Sequence, residues 1–364
     1  MIHADSDIAI ALRYRLLLAL GIGISTPGCH VARDCENPSV TTTVSLDALN
    51  GDSGDTARDT APPLESCPSD EDQARDLLYA GEVACDPGDI VLKSESGREC
   101  TYEHFCMICC GYGRPFLDAS GAPALAETGP NGDWSHGPHS PRVHELSEAE
   151  RAEIGAYWLQ NARAEHSSVA GFHRFTLDLL ARGAPPELIG RAQAAAAQEL
   201  RHALDCFGLA SRYLGRPMGP GPLDMGGRAV IATSLAQLAA WTARDGAVGE
   251  TLAAYLAERA LVETTDPAVR AVLDRIVRDE TGHAELAWAT IRWAIDLGGV
   301  EVREAVRAVF DQLGEPKAHT GAWMAHLAAH GVPNPADEKA AAEFCIEQVI
   351  LPVAEALLGR ALAA

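Results

Sequence analysis

Gln198-Glu199-Leu200-Arg201-His202 and its echo Asp279-Glu280-Thr281-Gly282-His283 decide the reading of this chain. Each contains E-x-x-H, and on a helix a three-residue step places the carboxylate and the imidazole on one face, one turn apart. A single E-x-x-H is expected about once by chance in a chain of this size. Here each copy has a matching glutamate upstream. Glu165 stands 34 residues before Glu199 (199 − 165), and Glu250 stands 30 before Glu280 (280 − 250). The pattern E…ExxH, E…ExxH is an internal repeat of two helical hairpins.

Local signals delimit those helices. Ser147 with Glu148 and Glu150 opens the first, which runs to about Arg182 before Gly183. Pro185-Pro186-Glu187 opens the second, which reaches about Leu214. A crossover with Pro217, Pro220 and Pro222 precedes a helical stretch from about 228 to 264. Asp266 caps a fourth helix that starts at Pro267 and is expected to end at Gly298-Gly299. Glu165, Glu199, Glu250 and Glu280 each lie about 20 to 25 Å of helix from the turn of their own hairpin, so the four carboxylates can meet at one height. Their same-face neighbours are apolar: Trp158 and Phe172 flank Glu165, Ala195 and Ala203 flank Glu199, Ala247 and Ala254 flank Glu250, and Ile276 and Ala284 flank Glu280. Four carboxylates on core-facing stripes are prohibitively costly unless neutralised. Two divalent cations would balance four negative charges, and hard oxygen donors with two imidazoles suit iron or manganese better than zinc.

The pattern resembles the ferritin-like di-iron carboxylate proteins, whose bundle site takes one Glu from each of two helices and E-x-x-H from each of the other two. The resemblance covers residues 146–300. It implies an all-α, ferritin-like four-helix bundle holding two iron ions, with manganese as the alternative. By the same resemblance the ligands are Glu165, Glu199, His202, Glu250, Glu280 and His283, with Glu199 and Glu280 bridging and the other two glutamates terminal. Chemistry with O2 or peroxide follows, as in ferroxidases, peroxidases or oxygenases, with an electron donor that the sequence does not name. No catalytic residue beyond the ligands is singled out. The alternative is a non-catalytic metal-binding envelope lipoprotein that engages a partner through its cysteines. Asp205, Asp279 and Glu285 are placed to orient a ligand histidine or to face solvent. Tyr157, Tyr213 and Tyr255 are redox relays or packing, and His319, His326 and His330 are a weaker second cluster without acidic partners. A dimer is compatible with this architecture.

The flanks are read separately. The chain has 364 residues and a formal net charge of −22, which repels phosphate backbones and anionic headgroups, so nucleic acid is excluded as a partner. Arg13 and Arg15 precede an apolar run at 16–24, which fits a secretory signal. Thr26-Pro27-Gly28-Cys29 resembles a degenerate lipobox with Cys29 as lipidation site; plain cleavage nearby and a buried N-terminal helix are the alternatives. Residues 1–29 are therefore expected as a signal or lipoprotein segment, and 30–66, poor in apolar residues, as a disordered tether.

Eight of the ten cysteines precede residue 111. Residues 67–145 read as a small disulfide-rich loop module and linker, with Cys67, Cys85, Cys100, Cys106, Cys109 and Cys110 as disulfide candidates. Cys106-x-x-Cys109 lacks the second C-x-x-C that a four-thiolate metal site needs. Disulfides imply export to the cell envelope, either periplasmic or anchored to the outer membrane, with the membrane met only through a lipid anchor. Residues 301–364 are expected as C-terminal helices packed on the bundle, and Cys206 and Cys345 as buried thiols.

Overall fold

The structure is a computed structural model that describes residues 2–22, 40–45, 86–96, 99–107, 113–117, 123–135, 140–225, 231–313, 316 and 324–359. These residues are mostly helical. Helix α1 spans Ile2–Ala19, α2 Glu148–Ala181, α3 Pro186–Leu214 and α5 Pro267–Asp311. Between α3 and α5, helix α4 joins Leu235–Trp241 through a π-helical turn, Thr242–Val248, to Gly249–Glu263. Helix α6 has the same build: Pro335–Cys345, a π-helical turn at Ile346–Ile350, then Leu351–Leu358. No described helix is long and apolar enough to cross a membrane.

The helix ends follow from local chemistry. Ser147 and Glu150 form a reciprocal capping box on α2, with Glu150 N–H donating to Ser147 Oγ at 3.3 Å and Ser147 N–H to Glu150 Oε2 at 2.6 Å. Asp266 Oδ1 accepts from the amides of Ala268 and Val269 at 2.9 and 3.1 Å, and Pro267 is the first residue of α5. Two boundaries differ from expectation. Helix α4 starts at Leu235 rather than near 228, because Ser234 supplies the cap. Helix α5 does not stop at Gly298-Gly299: Gly299 at φ 65° and ψ −135° kinks the chain, and the helix resumes to Asp311. A residue without Cβ can take that conformation without ending the helix on either side.

Helices α2 and α3 pair along their lengths, as do α4 and α5, and α3 also meets α5. Three apolar clusters hold these contacts. One sets Trp158 on Phe207, Tyr213 and Leu273; a second sets Phe172 and Phe175 on Leu188, Leu238 and Leu286. The third joins α1, α4, α5 and α6 around Trp288, which stacks on Phe310 with ring centroids 5.5 Å apart. The C-terminal helix packs on the body as expected, burying Val349, Ile350, Val353 and Leu358.

The N-terminal third departs most from the reading of the sequence. Residues expected as a leader form α1, whose Ile8, Leu12, Leu16 and Leu20 repeat every four residues and are buried in the third cluster. Asp5 pairs with Arg259 at 2.7 Å, and Arg292 donates to the Leu20 carbonyl at 2.8 Å. Within the stretch expected as a tether, the described residues form β1, Val40–Ser45, which pairs antiparallel with β3, Glu99–Met107; the rest of 30–66 lies outside the described residues. Strand β2, Asp86–Ser96, pairs with the other edge of β3, giving the order β1-β3-β2. The expected loop module thus carries a three-stranded sheet, because the run Glu99 to Met107 can pair on both edges. Cys100 is buried and disulfide-bonded. Cys29, Cys67, Cys85, Cys109 and Cys110 lie outside the described residues, and Cys106 is described only as part of β3. A two-residue pairing of β4, Thr128–Gly129, with β5, Gly219–Pro220, ties the linker to the end of α3.

Candidate metal centre

The four long helices bring all six expected ligands together. Glu165 comes from α2, Glu199 and His202 from α3, Glu250 from α4, and Glu280 and His283 from α5. They form two quartets, Glu165, Glu199, Glu280, His202 and Glu199, Glu250, Glu280, His283, with donor atoms within 4.8 Å of one another in each. Glu199 and Glu280 belong to both. His202 Nδ1 lies 3.2 Å from Glu280 Oε1, 3.5 Å from Glu165 Oε2 and 3.8 Å from Glu199 Oε2. His283 Nδ1 lies 3.0 Å from Glu199 Oε1, 3.5 Å from Glu280 Oε2 and 4.0 Å from Glu250 Oε2. Each half of the repeat thus contributes its upstream glutamate and its E-x-x-H to one cluster.

Glu199, His202, Glu250, Glu280 and His283 are buried, while Glu165 keeps 17% of its side chain exposed. Several of these atoms lie within ion-pair distance of one another yet make no hydrogen bond. Glu199 Oε1, both Glu250 oxygens, Glu280 Oε2 and the Nδ1 atoms of both histidines are buried with no hydrogen-bond partner. Buried polar atoms are nearly always satisfied, so six without a hydrogen bond, spread over the two quartets, fit cations that bond them. The donor set, carboxylate oxygens with two imidazole nitrogens, fits a hard or borderline divalent metal.

Without such a cation the carboxylates strain against one another. Burial, then repulsion from Glu280 and Glu165, raises the pKa of Glu199 well above the usual carboxylate range. Burial, then Glu280, does the same to Glu250. Burial also opposes ionisation of Glu280, but the charge of His283 and the close approach of both imidazoles outweigh it, and its pKa falls. For His202, burial disfavours the cation, yet its contacts with Asp279, Glu165 and Glu280 prevail and the pKa rises well above the imidazole value.

A second layer fixes the rings. His202 Nε2 donates to Asp279 Oδ2 at 3.1 Å, and His283 Nε2 donates to Gln198 Oε1 at 2.9 Å. Gln198 Nε2 then donates to Asp279 Oδ1 at 3.0 Å, closing a chain from one histidine to the other. Each supporting residue immediately precedes the glutamate of one E-x-x-H and serves the histidine of the other hairpin. Holding the proton on Nε2 leaves Nδ1 as the donor that faces the carboxylates. Phe172 packs against His283 with ring centroids 4.9 Å apart.

Of the three expected orienting acids, only Asp279 reaches a ligand. Asp205 pairs with Arg275, and Glu285 pairs with Arg15 at 3.1 Å. His166 turns away onto Trp134, and exposed His173 bonds the Val169 carbonyl at 2.7 Å. No second metal cluster forms among the described residues: His330 Nδ1 meets Tyr213 Oη at 2.8 Å, His326 meets Glu150 at 2.5 Å, and His319 lies outside them. Tyr213 thus bonds His330, and Tyr255 donates to Asp5 at 3.2 Å, so neither touches the ligands. Cys206 and Cys345 are buried thiols outside any disulfide, as expected.

Two participants escaped the sequence reading. Gln198 could have been found by aligning the two repeats, since it occupies the position of Asp279. Arg114 carries no such signal. Its guanidinium is buried over Phe175, 4.0 Å from the ring centroid, and its Nε lies 3.9 Å from Glu250 Oε1. Two glycines make room for it. A Cβ on Gly246, inside the π-helical turn of α4, would fall 2.0 Å from Arg114 Nη2, and one on Gly171 would fall 2.2 Å from the Arg114 carbonyl. A π-helical turn next to a ligand is a recurrent functional device.

No family model, no curated protein and no solved structure matches this chain.

Proposed function

We propose that this chain is a ferritin-like four-helix-bundle protein that holds a dinuclear metal centre, with iron as the working metal, and performs oxidoreductase chemistry with O2 or peroxide. The observation that carries this reading is the convergence of six orphaned buried donor atoms on two quartets that share Glu199 and Glu280. Bound iron would supply two-electron chemistry toward O2 or peroxide. Glu199 and Glu280, common to both quartets, would help to hold both ions. Glu165 and Glu250 would serve one ion each, as would His202 and His283.

The chain's own residues do the rest. Asp279 and Gln198 hold the imidazoles in one tautomer and orientation, so the donor set is preformed rather than gathered on binding. Phe172 and the apolar stripes exclude water, which strengthens every charge interaction in the site. Glu165 is the ligand with room to move, because it is partly exposed and borders a cavity. That cavity favours an enzyme over a metal-holding partner protein. Location in the cell envelope belongs to the same proposal and rests on the crowding of cysteines before residue 111 and the disulfide at Cys100.

The test is metal analysis of the full chain, because α1 and residues 113–117 are part of the packed body. Two iron ions per chain are expected, with loss of both in a Glu199→Ala, Glu280→Ala double variant that keeps its helical circular dichroism. The ferrous protein should then consume O2. A folded parent without metal would remove the reading, and metal without O2 consumption would leave only a metal-holding role.

A further inference from the structure

Resting on that reading, we propose that the cavity beside Glu165 and Glu280 binds an elongated, largely apolar organic substrate whose far end is neutral or cationic. The cavity has a volume of about 410 Å³, within the range that small organic ligands occupy. Its walls include Tyr157, Trp158, Leu256, Ala257, Leu273 and Ile276. One end is closed by the metal-site carboxylates Glu165 and Glu280 together with Ser168. On α2 the lining runs from Tyr157 to Ser168 and on α4 from Ala253 to Glu263, each roughly 15 Å of helix, so the space is long and narrow. A passage serving metal ions alone has no use for such walls.

The polar groups along these walls are turned away or held neutral. Trp158 Nε1 donates to the His330 carbonyl at 3.1 Å, so the indole has spent its donor. Burial, then the charge of Glu165, keeps the Cys206 thiol protonated. Burial also raises the pKa of the Tyr157 phenol, so it stays neutral.

The end group follows from charge. The end away from the ligands carries Glu263, Asp337 and Glu338. Arg259 is the one cation among the described lining residues, and it is occupied by Asp5 at 2.7 Å and Glu263 at 3.9 Å. An anionic head such as a free carboxylate would add a fourth negative charge beside these three carboxylates, against a single cation that Asp5 already engages. A neutral or positively charged head would not.

The test uses the full-length protein as purified, with calorimetric titration of 1-butanol, 1-hexanol and 1-octanol, then octylamine and octanoate, and metal content measured on the same samples. Affinity should rise about threefold to fourfold per methylene along the alcohols, the increment of a chain entering an apolar space. Octylamine should bind at least about tenfold more tightly than octanoate, and Asp337→Lys should narrow that ratio. Ala257→Phe, which fills the cavity, should abolish binding while leaving metal content unchanged; Ala253→Leu is the milder version should the larger residue prevent folding. A metal-loaded protein that binds no alcohol overturns this inference alone, as does octanoate binding as well as octylamine. Chain-length-dependent binding by a protein that holds no metal would support the cavity and sink only the dinuclear reading.

Discussion

The Arg114 guanidinium and the Glu250 carboxylate face each other at 3.9 Å with 2% and 0% of their side chains exposed, so the segment at 113–117 carries a charge into the carboxylate–histidine cluster. Burial pulls the Arg114 pKa down, against the opposing pull of Glu250 and Asp245. Removing one member of a buried pair leaves the other uncompensated, at a cost of about 3–5 kcal/mol. Arg114→Leu should therefore destabilise the protein by about that amount when metal-free, and by clearly less when loaded, since a bound cation also neutralises Glu250. Urea unfolding with and without metal measures both. Equal losses in the two states would show that Arg114 acts only by packing on Phe175.

Gly246 tests the same insertion from the opposite side. Gly246→Ala brings a methyl within 2.0 Å of Arg114 Nη2 and 2.7 Å of Ala287 Cβ. Overpacking of this kind costs about 1–3 kcal/mol, which a thermal melt would read as a lowered Tm. A variant as stable as the parent would mean that α4 does not close on Arg114 in this way.

Gln198→Leu removes the acceptor of His283 Nε2 and the donor to Asp279 together. Loss of such a supporting partner weakens metal affinity by about 10–100-fold. Competition with a chelator of known affinity reads the change. Asp279→Asn should act in the same direction through His202, and unchanged affinity in both variants would show that the ring chain does not support the ligands.

The pH dependence follows from the carboxylates. Glu199 and Glu250 have raised pKa values when folded, so their contribution to stability is present below the ordinary carboxylate range and is lost as pH rises through the raised values. Glu280 and Asp279 are lowered and behave in reverse, losing their contribution as pH falls. The metal-free protein should therefore lose stability as pH rises above the ordinary carboxylate range, while the loaded protein changes little. Thermal melts across that rise, with and without chelator, decide it; parallel curves would count against a cation on these residues.

Leu16 is fully buried where α1 meets the third apolar cluster. Leu16→Ala should cost about 2–5 kcal/mol, the range for a large aliphatic side chain removed from a core. Unchanged stability in chemical denaturation would mean that α1 adds nothing to the packed body.

The sequence by itself determined the long helices that carry the site, most of their ends and the six residues that come together in the buried carboxylate–histidine cluster. Those features rest on short-range constraints: Ser147, Asp266 and Pro267 act within one helical turn, and E-x-x-H fixes its own geometry once the helix forms. The apolar stripe around each glutamate told which face turns inward. The tertiary structure decided what no spacing encodes. That Leu16 and Leu20 are buried against α4, α5 and α6 depends on the groove those helices form, to which composition is blind. Likewise β1 reads as tether until β3 offers it an edge, and Gly298-Gly299 reads as a stop until Val302, Val306 and Phe310 find a core to bury in beyond the kink. The reciprocal service of Gln198 and Asp279 to each other's histidines, and the arrival of Arg114 beside Glu250, join residues dozens to more than a hundred positions apart. Such pairings are selected by burial and charge in the folded body, because only there does an unpaired donor or carboxylate become costly enough to require a partner.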